Sequence, residues 1–91
     1  MQNGFGIFVA PGGRERYVGE WKHGQKHGYG RYIFGDGSVY DGDFQHDKAC
    51  GQGVFRERLS GDWYTGRWKD NHRHGKGLYQ WATGSRYEVI L

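Results

Sequence analysis

The stretch Tyr17-Val18-Gly19-Glu20-Trp21-Lys22-His23-Gly24-Gln25-Lys26-His27-Gly28-Tyr29-Gly30 decides the fold, because the chain repeats it. Its tyrosine recurs at intervals of 23, 24 and 23 residues, at Tyr17, Tyr40, Tyr64 and Tyr87. The first three tyrosines are each followed by a glycine two positions later and by an aromatic residue four positions later. A glycine pair closes each unit, at positions 28/30, 51/53 and 75/77. Self-similarity at a fixed period of this length predicts a repeat array.

These units divide residues 1–91 into a single array. We predict a half repeat over residues 3–16, complete repeats over 17–39, 40–63 and 64–86, and a partial repeat over 87–91. The second repeat carries one extra residue between Gly53 and Gly61. Because the array begins and ends in mid-repeat, we expect the chain to be a piece of a longer array.

The composition excludes several classes of protein. With 18 Gly and a single Pro but no Gly-X-Y period, the chain is not collagen-like, and its 4 Trp, 7 Tyr and 5 Phe residues argue against disorder. No apolar run approaches the roughly 20 residues of a membrane-spanning helix, and the N-terminus lacks the features of a signal peptide. The single Cys50 cannot form an intramolecular disulfide and fits a reducing compartment, so we expect a cytoplasmic protein.

Within a unit the residue pattern predicts a β-hairpin. Residues 17–21 alternate and are rich in aromatic and β-branched side chains, residues 22–27 read as a polar turn, and residues 28–34 read as the return strand. Gly24 is replaced by Asp47 and Asn71 in the next repeats, and these residue types mark a turn position with positive φ. No stretch has a helical apolar period. We therefore predict an all-β fold, a single-layer, elongated, twisted antiparallel sheet built of successive β-hairpins.

Strand alternation assigns the side chains to two faces. One face should carry Tyr17, Gly19 and Trp21, with Gly28, Gly30, Tyr32 and Phe34 of the return strand. Stacked repeats turn these positions into columns of aromatic residues separated by columns of glycine. The missing side chains leave room for rings to lie flat over the backbone, which explains glycine inside strands. The opposite face should be mostly polar.

The spaced residues Tyr17-x-Gly19-x-Trp21-x-x-Gly24-x-x-His27-Gly28-x-Gly30, followed by Asp36-Gly37, resemble the MORN (membrane occupation and recognition nexus) repeat. The resemblance extends from Asn3 to Tyr87, and the second repeat departs from it with Phe44 for Trp, Asp47 for Gly and Cys50 for His. It implies an all-β solenoid of hairpins that usually serves as a scaffold or interaction module. Such modules occur alone, in cytoskeletal and membrane-junction proteins, and fused to enzymes.

The residues predict no catalytic, cofactor or metal site. A dinucleotide-binding loop needs a third glycine and a following helix, and neither accompanies the glycine pairs. His27, Cys50 and His74 occupy equivalent positions in successive repeats. Each should therefore lie two strand spacings, about 9–10 Å, from the next, which is too far to share a metal ion. We expect no nucleic-acid binding, because packing accounts for the recurring aromatic residues.

The aromatic face points to a non-enzymatic protein-interaction and assembly scaffold. A single-layer sheet has no second layer to cover this face, and large exposed apolar patches usually mark interfaces. The face should bind a peptide or helix of a protein partner, or a second copy of the chain, and the unpaired edges of the outer strands also favour a homo-oligomer. The candidate partner-binding residues are Tyr17, Trp21, Tyr32, Tyr40, Phe44, Phe55, Tyr64, Trp68, Tyr79 and Trp81.

Two alternatives stay open. Basic residues recur around the hairpin turns and could line a rim that contacts anionic phospholipid membranes. The candidate lipid-contacting residues are Lys22, Lys26, Lys48, Lys69, Arg73 and Lys76. The array could also be an accessory repeat domain of a larger enzyme. Association with the cytoskeleton or with a membrane is compatible with either hypothesis.

Overall fold

The computed structural model describes residues 4–90, without the side chains of residues 87 and 89. These residues form one antiparallel sheet whose strands follow one another in sequence order. The strands are β1 (Gly4–Val9), β2 (Arg16–Lys22), β3 (Gln25–Ile33), β4 (Val39–Gln45), β5 (Lys48–Arg56), β6 (Trp63–Lys69), β7 (His72–Gln80) and β8 (Arg86–Ile90).

The predicted all-β, single-layer sheet of successive hairpins is confirmed. The sheet measures 41 × 27 × 15 Å, and extensive contacts link only strands that are consecutive in sequence. Residues 4–90 contain no helix, and hence none of the length and apolarity needed to cross a membrane. Asn3 and Leu91, at the outer limits of the predicted half units, and the side chain of Tyr87 lie outside the described part.

The hairpin turns are shorter than the sequence predicted. Lys22 pairs directly with Gln25, so the turn consists of two residues rather than the six of residues 22–27. Both turn residues have positive φ in every repeat, the pattern of a type I′ turn: His23/Gly24, His46/Asp47 and Asp70/Asn71. The positive φ expected for Gly24, Asp47 and Asn71 is therefore confirmed. This turn matches the strand twist, which lets the return strand begin three residues earlier than predicted.

A bulge interrupts each hairpin, and it corrects one predicted face. Gly19 pairs with Gly30 and Trp21 with Lys26, so Glu20 alone lies opposite residues 27–29. Gly28, with φ of 72°, faces the Glu20 carboxylate rather than the aromatic face where simple alternation placed it. Side chains alternate between the two faces only along an unbroken ladder, and the bulge interrupts the ladder here.

The first tyrosine of each repeat packs flat against the return strand. Its ring occupies the space that a side chain would need on the facing glycine, which confirms the predicted role of these glycines. A Cβ at that glycine would collide with ring atoms in all three repeats: Tyr17 over Gly30, Tyr40 over Gly53 and Tyr64 over Gly77. The three tyrosines are almost fully buried, at 0%, 3% and 2% exposure respectively. Glycine is thus required here by close approach.

Further aromatic rings join the tyrosines into one cluster. The Phe44 ring contacts Tyr17 and Tyr40 at centroid distances of 5.1 Å each, and the Trp68 ring contacts Tyr40 and Tyr64 at 5.2 and 5.4 Å. All four pairs are edge-on, with interplanar angles between 81° and 88°. Such pairs contribute about 0.5–1.5 kcal/mol each beyond area burial. Because each ring bridges two repeats, the cluster couples the hairpins.

Side chains at the hairpin turns connect one repeat to the preceding one. Asp47 Oδ1 accepts a hydrogen bond from the Lys26 backbone N–H at 2.7 Å, while its own N–H donates to the Lys26 carbonyl at 3.1 Å. Asn71 makes the same pair of bonds with Ala49, at 2.8 and 3.1 Å. Asp47 and Asn71, which were predicted only as turn residues of positive φ, thus also join adjacent hairpins.

The loops at the opposite end of the sheet use a similar device. Ser38 Oγ accepts a hydrogen bond from the Arg58 N–H at 3.1 Å, and Asp62 Oδ1 accepts one from the Ala82 N–H at 3.0 Å. The loop between β5 and β6 holds the extra residue of the second repeat, since it spans 57–62 whereas the preceding loop spans 34–38.

Replacing Gly53 by Ala tests the contact between tyrosine and glycine. The new methyl group would collide with the Tyr40 ring, so we expect a loss of about 2–3 kcal/mol in the free energy of unfolding. The control is Gly35→Ala, where the nearest atom to the new Cβ lies 3.6 Å away and the expected change is within about 0.5 kcal/mol. Urea denaturation measures both, and equal midpoints for the two variants would contradict this packing.

Replacing Asn71 by Gly isolates the bond between repeats. Glycine keeps the positive φ of the turn but leaves the Ala49 N–H without its side-chain acceptor, so we expect a destabilisation of about 1–2 kcal/mol. Asp70→Gly, in the same turn and exposed, controls for the added backbone freedom. If thermal unfolding shows the same loss of stability in both variants, the hydrogen bond of Asn71 contributes nothing measurable to stability.

Candidate binding groove

The aromatic face forms a groove of about 600 Å³ across strands β3 to β7. Its lining combines Tyr40, Phe44, Tyr64 and Trp68 of the aromatic cluster with a second row of rings, and it has polar groups at both ends of the strands. The lining residues beyond that cluster include Lys26, Tyr32, Phe34, Asp47, Ala49, Phe55, Glu57, Asp62, Asn71, Arg73 and Tyr79.

The floor of the groove is structural. Three of the predicted partner-binding residues, Tyr40, Phe44 and Tyr64, line the groove but are buried. A fourth, Tyr17, is also buried and does not line the groove. The tyrosine hydroxyls are also engaged, since Tyr17 and Tyr40 each donate to a backbone carbonyl three residues later at 2.9 Å. These side chains can fix the shape of the groove but leave little surface for a partner.

The remaining predicted partner-binding residues keep accessible surface. Trp21, Tyr32, Phe55, Trp68 and Tyr79 are half-buried, and Trp81 is 38% exposed. Phe34 also lines the groove; its face was predicted correctly, but it was not among the predicted site residues. The Phe34 ring is 37% exposed and contacts the rings of Tyr32 at 4.9 Å and Phe55 at 5.8 Å.

Two of the predicted lipid-contacting residues lie in the groove instead of beside the turns. The Lys26 ammonium lies over the rings of Tyr17 and Tyr32, at 5.8 and 5.5 Å from their centroids, and it forms an ion pair with Asp47 at 3.5 Å. The Arg73 guanidinium lies over the rings of Tyr64 and Tyr79, at 5.4 and 5.9 Å. The short turn explains this placement, because it puts both residues inside return strands.

The other predicted lipid-contacting residues are divided between two places. Lys22, Lys48 and Lys69 are exposed and adjoin the hairpin turns at one end of the sheet. Lys76 lines a second depression with Arg67 and Glu88, away from the groove. The structure therefore does not bring all six cations into a single rim.

Carboxylates lie at the opposite end of the groove, and their contacts with the rings were not predicted from the sequence. The Tyr32 hydroxyl donates a hydrogen bond to Glu15 Oε1 at 2.8 Å, and the Tyr79 hydroxyl donates to Asp62 Oδ2 at 3.0 Å. Glu57 lies nearby. The groove thus has Arg73 and the Lys26–Asp47 ion pair toward the turns, and carboxylates toward the loops. The sequence signal for these contacts was an acidic residue in a loop, 17 positions before the tyrosine that it contacts.

Burial perturbs the ionisation of the tyrosines. It raises the pKa of Tyr17 to about 12, with smaller contributions from the charges of Glu20 and Asp47. Burial also raises the pKa of Tyr40 and Tyr64. For Tyr32 and Tyr79, burial is again the main cause of a raised pKa, followed by the hydrogen bonds to Glu15 and Asp62. All five side chains are neutral at physiological pH.

The part of the chain described by the structure contains no group of three or more His, Cys, Asp or Glu side chains placed to hold a metal ion. His27, Cys50 and His74 are accordingly not gathered into one cluster.

Alkaline titration tests the burial of the floor. An unfolded tyrosine ionises near pH 10, whereas folded Tyr17 ionises near pH 12. The contribution of Tyr17 to the free energy of unfolding is therefore fully present below about pH 10 and is lost as the pH rises toward 12. Ultraviolet absorbance should show a late group of tyrosinates, which loses one member in Tyr17→Phe, and circular dichroism should show unfolding in the same interval. Simultaneous titration of all the tyrosines near pH 10 in a chain that keeps its native spectrum would contradict the burial.

A family model described as the MORN repeat matches residues 17–39, 40–56 and 64–86. A Drosophila melanogaster protein named MORN repeat-containing protein 4 homolog is 61% identical over 31 residues, which are 33% of this chain and 16% of the fly protein. Alsin is 37% identical in Rattus norvegicus and 33% identical in Homo sapiens, in each case over 60 residues, which are 62% of this chain and 4% of alsin. The matched segments are therefore small parts of these relatives. Because the family model covers more than half of the chain, the chain belongs to the MORN repeat family.

Proposed function

We propose that the chain is a non-enzymatic scaffold that binds a helix or peptide of a protein partner in the aromatic groove. The observation that carries the proposal is the row of half-buried rings above a floor of buried, hydrogen-bonded tyrosines. Because the floor is rigid, the rings above it lose little conformational entropy when a partner binds. Aromatic residues of this kind are enriched in binding hot spots. Membership in a family of repeat modules that are generally not enzymes agrees with this proposal.

The spacing of the half-buried rings favours a helix. Tyr32, Phe55 and Tyr79 stand in register on β3, β5 and β7, with one strand between each pair. Strands two apart are about 9–10 Å from each other. Side chains at positions i and i+7 of a helix lie on one face about 10.5 Å apart. A helix laid across the strands would therefore place successive apolar residues against the three rings.

The charges at the ends of the groove would orient that helix. Arg73 lies on the turn side, where Lys26 is paired with Asp47, and Glu57 and Asp62 lie on the loop side. The favoured helix has an apolar stripe flanked by acidic residues on one side and basic residues on the other. Such complementarity fixes register and raises the association rate more than it raises affinity.

Selection of amphipathic helices from a displayed peptide library, followed by affinity measurement with variants, tests the groove. Phe55→Ala should weaken binding of the selected peptides about 30-fold, the effect of losing a hot spot worth about 2 kcal/mol. The matched control is Tyr29→Ala, because Tyr29 is 57% exposed and lies on the opposite face. Circular dichroism verifies that both variants fold. Unchanged affinity in folded Phe55→Ala, or a greater loss in Tyr29→Ala, would contradict the proposal.

A second copy of the chain is an alternative occupant of the groove, and light scattering at high concentration tests the resulting homo-oligomer. We also propose a cytoplasmic location, with association to the cytoskeleton or a membrane, as the single Cys50 and the family suggest. An accessory role in a larger enzyme stays an alternative proposal. Relatives such as alsin carry the matched segment within a much longer chain.

Contact with anionic phospholipid is the rival proposal, and the exposed lysines at one end of the sheet favour it. Lys22, Lys48 and Lys69 adjoin the hairpin turns, where each could add about 1 kcal/mol at an anionic surface. Cosedimentation with anionic vesicles should then fall steeply with salt and should be lost when the three lysines are replaced by Gln. Equal, weak binding to neutral and anionic vesicles would remove this alternative.

A further inference from the structure

The bulge recurs in all three hairpins, so three different residues can be compared in the same backbone setting. A single residue of the outgoing strand lies opposite three residues of the return strand each time. The bulge glycines Gly28, Gly51 and Gly75 have φ of 72°, 111° and 69°. The residues opposite these bulges are Glu20, Asp43 and Arg67.

In the first two repeats a carboxylate fills the bulge. Glu20 Oε2 accepts a hydrogen bond from the Tyr29 N–H at 2.9 Å, and Asp43 Oδ2 accepts one from the Gln52 N–H at 3.1 Å. The carboxylates lie so close that a Cβ on Gly28 or Gly51 would come within 2.9 or 2.8 Å of their oxygens. The bulge therefore presents a backbone N–H to an anion on the face opposite the groove.

In the third repeat the anion is replaced by a cation. Arg67 occupies the position of Glu20 and Asp43, and a guanidinium has no acceptor atom. Lys76 follows Gly75 as Tyr29 follows Gly28, so the equivalent N–H belongs to a second basic residue. A Cβ on Gly75 would have its nearest neighbour, Arg67 Cδ, at 3.8 Å. The aliphatic part of Arg67 therefore lies over this bulge at ordinary van der Waals distance, about 1 Å farther away than the carboxylate oxygens lie in the other two repeats.

A depression of about 520 Å³ adjoins this bulge at Arg67 and Lys76, and its lining also includes Gln52, Thr65 and Glu88. The site thus joins one backbone N–H, an amide, a hydroxyl and two cations with a single carboxylate. Glu88 reduces the local charge and disfavours a doubly charged ligand such as phosphate. A singly charged carboxylate fits better and matches the group that the same backbone holds in the two other repeats.

We propose that the third bulge is a receptor for a carboxylate from an acidic segment of a partner protein. An Asp or Glu oxygen of the partner takes the place that Asp43 Oδ2 takes in the second repeat, accepting from the Lys76 N–H. The Arg67 guanidinium holds the same carboxylate through charge-assisted hydrogen bonds, and the Lys76 ammonium adds attraction. The receptor is on the face opposite the groove, so it does not depend on the groove being occupied.

Amide NMR with acetate as the probe, against chloride at constant ionic strength, tests the receptor. The Lys76 amide resonance should shift and saturate, while the Tyr29 and Gln52 amides, already bonded to carboxylates, should stay in place. In Arg67→Asp the chain supplies its own carboxylate, so the Lys76 response should weaken at least tenfold. In Asp43→Arg the Gln52 amide should begin to respond. Dispersed spectra establish that both variants fold.

Three results would overturn the proposal: an unresponsive Lys76 amide in the wild-type chain, an undiminished response in folded Arg67→Asp, or a stronger response to inorganic phosphate than to acetate. The last would reject a carboxylate as the preferred ligand. If Asp43→Arg fails to fold, the comparison of the wild-type chain with Arg67→Asp still decides the outcome.

Discussion

The contact between a tyrosine ring and the backbone of a facing glycine is the constraint on which the rest of this structure depends. Each repeat places its first tyrosine over the glycine of the return strand, where a Cβ would collide with the ring. Single-layer sheets have no second layer to cover a core, and this contact buries three rings within one sheet. The buried rings then hold Phe44 and Trp68 edge-on between neighbouring repeats. Removing the glycine would therefore disturb the hairpin and its connection to the next one.

The same constraint divides the aromatic residues between two tasks. The buried tyrosines form a floor, and the hydroxyls of Tyr17 and Tyr40 donate hydrogen bonds to backbone carbonyls. The rings of Tyr32, Phe55 and Tyr79 lie above this floor and keep solvent-accessible surface. A floor fixed by packing cannot adapt, so selectivity for a partner would arise from the exposed rings and from the charges at the two ends of the groove. The opposite face follows different rules, because there the bulge presents a backbone N–H to whichever side chain lies opposite it.

The sequence predicted the features that recur at a fixed period, and it missed those that depend on the exact ladder. The repeat length, the hairpins, the role of the glycines and the positive φ at Gly24 all followed from comparing one unit with the next. The bulge was missed because it preserves the alternation on either side and changes the face of a single glycine in each hairpin, Gly28, Gly51 or Gly75. The bonds of Asp47 and Asn71 to the previous repeat were missed because a positive φ already explained those residues. Lys26 was assigned to a turn because a two-residue turn cannot be distinguished by composition from a longer polar one.

Proton NMR of the glycines measures the central contact directly. Protons above an aromatic ring are shifted upfield, so the Hα resonances of Gly30, Gly53 and Gly77 should lie well upfield of those of Gly35 and Gly84. Each of the three should also show nuclear Overhauser effects to its own tyrosine ring: Tyr17, Tyr40 and Tyr64, respectively. Glycine Hα resonances at ordinary positions, without these effects, in a chain that is folded as a sheet would contradict the account.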